Sequence, residues 1–116
     1  MFNTVGCAAC HVPALMTAPN RNPVFDRKAV ALFSDLLLHD IGTGDGIEQE
    51  AAKGNEIRTP PLWGLRFRRP LMHDGRAANS AQSIGMHEGE AEASRKKFEA
   101  LGEADKRALI AFLGIL

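Results

Sequence analysis

Apolar positions recur at helical spacing only towards the end of the chain. In EADKRALIAFLGIL (103–116), Ala108, Leu109, Phe112 and Leu113 or Leu116 fall along one face, the pattern of an amphipathic helix. Glu92 to Leu101 reads as another helix, with Gly102 as its terminator. Asn79 or Ser80 supplies a side-chain cap for a helix running to Met86. Upstream the pattern weakens. A short helix from Asn3 or Thr4, ending before Pro13, is expected to carry the cysteines, and APNRNP (18–23) marks a loop. AVALFSDLLLHDIG (29–42) is apolar without clean alternation, so a buried strand running into a turn and a short helix both fit. TGDGIEQEAAKGN (43–55) reads as a surface loop. RTPPLWGLRFRRPLMHDGRA (58–77), with three prolines and two glycines, reads as irregular or extended. No internal repeat and no hairpin-linked strand pair stands out. The expected fold is therefore all-α, a single domain over 1–116 of short helices and long ordered loops. Such loops in a compact domain need something to wrap.

Composition sharpens that expectation. A chain of 116 residues is one domain, burying roughly two-thirds of its unfolded surface. Six Phe, one Trp and no Tyr, against eleven Gly and six Pro, describe a modest protein core. A large apolar prosthetic group at the centre would make such a chain easier to stabilise. The 14 basic and 14 acidic residues balance, which leaves no field for gathering nucleic acid or an anionic membrane. No run approaches the ~20 apolar residues of a membrane span. No basic-then-apolar signal segment opens the chain. A start so close to the first cysteine is expected of an excised domain, with any export signal upstream.

The chemistry begins at GCAACH (6–11). Cys-x-x-Cys-His is the attachment signature of c-type haem. Cys7 and Cys10, three apart on a helix, share a face and can each bond a vinyl group, while His11 delivers its imidazole to the iron. Zinc prefers four closed ligands, and His39, His73 and His87 are too widely spaced to complete such a site. A redox dithiol expects a βαβ context, and a Cys7–Cys10 disulfide would close a tight loop. These are the only two cysteines, which speaks against an accidental pair. Haem c is the reading adopted.

An electron-carrying haem needs a sixth ligand, and methionine raises the potential relative to a second histidine. Met16 lies too close to His11 to cross the ring. His39, at the end of an apolar run, fits a hydrogen-bonded core position or a propionate neighbour as well as a ligand. Met72-His73 and Met86-His87 remain, and the residues alone do not separate them. Arg58 and Arg76 are expected to pair with haem propionates, since guanidinium forks match carboxylates. Arg66, Arg68 and Arg69 read as solvated, as does the acidic run EGEAE (88–92). Trp63 reads as a core anchor against the haem.

GCAACHVP, FSDLLLHDIG, RTPPLWGL, LMHDGRA, SIGMHEGEA and LIAFLGIL, in that order, cover nearly the whole chain. Together they resemble the C-terminal haem domain of bacterial di-haem oxidoreductases, the peroxidase-like or "thiol" oxidoreductase group. These are related to the di-haem cytochrome c peroxidases and to the enzyme that matures the methylamine dehydrogenase cofactor. The resemblance implies a cytochrome c-like domain with covalent haem c in the periplasm. It implies electron transfer from a small redox donor protein to a second haem domain of the same protein. It places the HDG motif near the haem and the distal ligand fourteen residues beyond His73, at His87, with Met86 and Met72 as alternatives. His73 then stands behind the ligand, presented by the Asp74-Gly75 turn. The family carries two haems and this chain one attachment site, so turnover by the isolated domain is not expected. A free-standing monohaem carrier is the alternative, and a zinc-binding module a distant third.

Overall fold

The computed structural model describes residues 1–116 and begins with one turn of helix, α1 (Phe2–Val5). Gly6 ends it in the left-handed conformation, φ 104°, where a Cβ atom would be strained. That Cβ would also fall 2.6 Å from Ser94 Oγ. The chain then tightens into a 3₁₀ turn over Cys7–Ala9. The cysteines therefore do not ride on one helix reaching Pro13. They sit on a separate turn that Gly6 redirects.

Two small antiparallel ladders follow. β1 (Leu15–Met16) pairs with β2 (Ala29–Val30), and β3 (Leu38–His39) pairs with β4 (Ile57–Arg58). With 33% helix and 10% strand the fold is mixed α/β, which corrects the all-α expectation. The reason is local. Each ladder is too short to leave an alternating pattern, and the long connections 17–28 and 40–56 replace the tight turns that announce a hairpin. Segment 29–42 is accordingly neither one strand nor one helix. It supplies β2 and β3, with Phe33 and Leu36 between them at positive φ (55° and 63°).

Residues 59–79 are irregular apart from a 3₁₀ turn at Leu65–Phe67, as the prolines predict. Asn79 caps α2 (Ser80–Gly85), its side-chain oxygen accepting from the Gln82 N–H at 3.0 Å. α3 (Glu92–Glu99) and α4 (Glu103–Leu113) end slightly earlier than the sequence pattern suggests. α4 buries Leu109 and Leu113 against Phe2, Val5, Leu65 and Phe98. Phe2, Phe33 and Phe112 pack edge-on, with ring centroids 5.5–6.0 Å apart.

This core is thin. Only 12 of 116 residues are buried. Burying a Leu or Phe side chain contributes about 1.5–3 kcal/mol, while ordering the backbone costs about 1–2 kcal/mol per residue. Some of the partly buried apolar side chains, Leu62, Leu71 and Ile84 among them, line a cavity. No helix is long and apolar enough to cross a membrane.

Candidate functional site

The cavity holds about 350 Å³ and is bounded by the cysteine turn, β3 and β4, the turn after Pro70, and α2. That volume lies within the roughly 300–1,000 Å³ usual for small-molecule sites. Leu62, Leu65, Leu71, Ile84 and Leu113 give it apolar walls, and Cys7, Cys10, His11 and His87 all line it. A long stretch of chain separates His87 from the other three, and the fold brings it to them.

The two histidines are held alike. His11 Nδ1 donates to the Phe33 carbonyl at 3.1 Å, and His87 Nδ1 donates to the Ser83 carbonyl at 2.7 Å. A carbonyl only accepts, so each Nδ1 carries the proton and each Nε2 keeps an open lone pair. Burial pushes both imidazoles below the ordinary histidine range, against the opposing pull of the carbonyls. For His11 the nearby His87 and His39 lower it further. Both rings are thus held in the neutral form that binds metal.

The thiols are free. Burial raises the pKa of each, and Asp35 and Glu90 raise that of Cys10 further. Protonated thiols lack the activated thiolate of a redox dithiol. Beside them, Cys10, Asp35 and His39 bring ligand-type atoms within 4.8 Å of one another. His39, however, spends both nitrogens on carboxylates: Nδ1 on Glu90 and Nε2 on Asp35, each at 2.8 Å. The Glu90 bond, then the Asp35 bond, raises its pKa. His39 is therefore a clamp. Burial alone would raise the Asp35 carboxyl, but the Leu37 N–H and His39 outweigh it and hold it low. The acidic run 88–92 is not simply solvated, because Glu90 also accepts from the Asp40 N–H at 3.0 Å. Main-chain bonds Glu90 N–H to Asp40 and Glu88 N–H to Ile41 complete a strap beside His87.

The other expected residues divide. Arg58, His73 and Met72 line the cavity. Trp63, Arg76 and Met86 do not. Trp63 is 50% exposed, so it is no core anchor, and its carbonyl accepts from Arg68 at 2.7 Å. Arg76 pairs with Asp74 inside its own turn. Met72 holds a left-handed backbone (φ 70°), and its sulfur accepts from Ser83 Oγ at 3.1 Å.

Three wall residues escaped the sequence reading. Arg68 is exposed, as its solvated reading implies, but it also lines the cavity. Arg95 also lines it, donating from Nε to the His87 carbonyl at 3.0 Å while pairing with Glu99 at 2.7 Å. Thr43 is 5% exposed, and its Oγ1 has no hydrogen-bond partner. A buried unmatched hydroxyl costs about 1–3 kcal/mol, so this one calls for an acceptor within the cavity. No local motif flags these residues. Only the folding of the wall identifies them.

A family model described as "Di-haem oxidoreductase, putative peroxidase" matches residues 1–116, the whole chain. No curated protein and no solved structure matches it.

Proposed function

The chain belongs to the di-haem oxidoreductase family, and on that footing we propose that it is a c-type haem domain passing electrons to a partner haem. One observation carries this reading. Two neutral imidazoles, each with Nδ1 on a peptide carbonyl and Nε2 open, share a cavity with the only two cysteines.

The residues fit a haem. Cys7 and Cys10 would hold it through their thiols, and His11 and His87 would supply nitrogen ligands. Leu62, Leu65 and Ile84 would exclude water from it. Arg58 would offer a guanidinium group to a carboxylate, and Thr43 Oγ1 the hydroxyl that otherwise lacks a partner. Haem held there supplies one-electron transfer. With His87 as a ligand no position would be left for peroxide, which favours transfer over peroxide chemistry. Met86 does not line the cavity, which favours His87 as sixth ligand over its neighbour.

The family name counts two haems, whereas the sequence has one Cys-x-x-Cys-His. The partner haem is therefore assigned to another polypeptide segment, and a small redox protein to electron delivery. The proposed compartment is the periplasm, where c-type attachment takes place. The single motif also suits a free-standing monohaem carrier. A second Cys-x-x-Cys-His in the same reading frame would separate the two readings.

The test is spectroscopic and chemical. Haem should stay with the chain through denaturation and acid–acetone extraction, and the intact mass should include it. His87→Ala should turn the low-spin spectrum high-spin and open the site to carbon monoxide. Release of haem on extraction refutes covalent attachment, and an unchanged His87→Ala spectrum refutes the ligand assignment.

A further inference from the structure

Ser83 makes two contacts that bear on the same choice. Its carbonyl accepts from His87 Nδ1 at 2.7 Å, and its hydroxyl donates to Met72 Sδ at 3.1 Å. One residue of α2 thus holds both the imidazole assigned to the iron and a competing donor, the Met72 sulfur. Met72 and His87 both line the cavity, and Met86 does not.

The carbonyl contact is ordinary for the last turn of a helix, but the hydroxyl contact does not follow from helical habit. A serine within a helix commonly returns its hydroxyl to the carbonyl four residues back. Here the Ser83 amide bonds the Asn79 carbonyl, while the hydroxyl goes to sulfur, a weak acceptor. Met72 is equally unusual. Its φ of 70° lies in the left-handed region that a long side chain seldom adopts. The surrounding turn enforces that conformation through reciprocal Leu71–Ala77 bonds of 2.7 and 3.2 Å. The turn therefore delivers a thioether into the cavity, where the hydroxyl meets it.

We propose that Ser83 selects the axial ligand, presenting His87 through its carbonyl and detaining the Met72 sulfur through its hydroxyl. This rests on the haem reading given above. A sulfur lone pair engaged by a hydroxyl is less available to a metal, and thioether binds iron more weakly than imidazole, so a modest bias suffices. The exchange held in check moves no electrons: the Fe–Nε2 bond of His87 would break and an Fe–Sδ bond of Met72 would form. Ser83 acts here as a positioning residue.

The test uses holoprotein with covalently attached haem. Wild-type protein should lack the weak sulfur-to-iron band at the red edge of the oxidised spectrum. Ser83→Ala keeps the carbonyl and loses the hydroxyl. Losing a hydrogen bond at the weak end of the ordinary range should raise the sulfur-ligated fraction about twofold. The band should emerge and the midpoint potential rise. Ser83→Thr, which restores a hydroxyl, should return both to wild-type values. Met72→Leu added to Ser83→Ala should abolish the band. A Ser83→Ala protein with unchanged band and potential overturns the proposal, as does a band that survives Met72→Leu. A sulfur band already present in wild-type protein overturns the His87 assignment, and the proposal with it. That outcome is read before any Ser83 variant is made, so the two failures are distinct.

Discussion

On the proposed haem reading, removing Arg95 should loosen the His87 side of the cavity. Its Nε donates to the His87 carbonyl at 3.0 Å, and its side chain is 19% exposed. Its remaining bonds go to Glu99 at 2.7 Å and Glu92 at 3.6 Å, carboxylates about half exposed at 50% and 48%. Exposed pairs contribute about 0–1 kcal/mol, whereas a hydrogen bond from a charged donor contributes about 1.5–3 kcal/mol. The bond to His87 therefore dominates. Discounted for partial exposure, its loss should weaken the proposed His87 ligation about fivefold or more. Arg95→Met removes the charge and keeps much of the apolar stem. Its holoprotein should bind carbon monoxide faster in the ferrous form and show a high-spin shoulder in the ferric form. Stopped-flow carbon monoxide binding measures the first and the visible spectrum the second. Arg95→Lys should recover little, because an ammonium lacks the guanidinium fork that reaches the carbonyl and both glutamates. An Arg95→Met protein with wild-type carbon monoxide kinetics would refute the reasoning.

Other expectations concern the frame around the site. Leu109→Ala, at a position 1% exposed, should lower stability by about 2–5 kcal/mol in chemical denaturation; a loss below about 1 kcal/mol would contradict its place in the core. Asn79→Ala removes the cap of α2 and should cost about 0.5–2 kcal/mol, with a matching fall in thermal midpoint. The raised His39 pKa gives its clamp a definite pH window. Its contribution is full below the ordinary histidine value, while Asp35 and Glu90 stay ionised, and is lost as pH rises through the raised native value. The stability gap between wild type and His39→Gln should therefore narrow as pH rises through that window, and a gap independent of pH would count against the clamp.

What the sequence revealed depended on whether the cause was local. Asn79 caps a helix because its own side chain meets an amide three residues on, and that could be read directly. The apolar stripe of α4 placed Leu109 and Leu113 in the core for the same reason. The cysteine–histidine run was legible because its spacing is its chemistry. The two ladders were not, since each joins segments whose pairing is decided by the chain between them. Thr43, Arg68 and Arg95 were equally silent, because what matters about them is the cavity they face. Trp63 misled for a related reason: a lone tryptophan looks like an anchor, but its indole lies outside the apolar centre. His39 looked like one of several undecided histidines until Glu90, far along the chain, claimed its second nitrogen.

The histidines at the site are steadied by the peptide groups of positions 33 and 83, and this shapes how the protein can drift in evolution. A peptide carbonyl is present whatever side chain accompanies it, so no single replacement at either position deletes the acceptor. Selection on ring orientation then falls on the path of the main chain. It is strictest at Phe33, whose φ of 55° disfavours β-branched residues and whose ring also packs on Phe2 and Phe112. A carbonyl also has no proton to gain or lose near neutrality, unlike the carboxylate that often supports a ligating histidine. Acidification of the surroundings consequently leaves these two supports unaltered while the carboxylate clamp on His39 responds. Variation in the side chains at 33 and 83 should thus change packing and ligand choice long before it disturbs the tautomer of either ring.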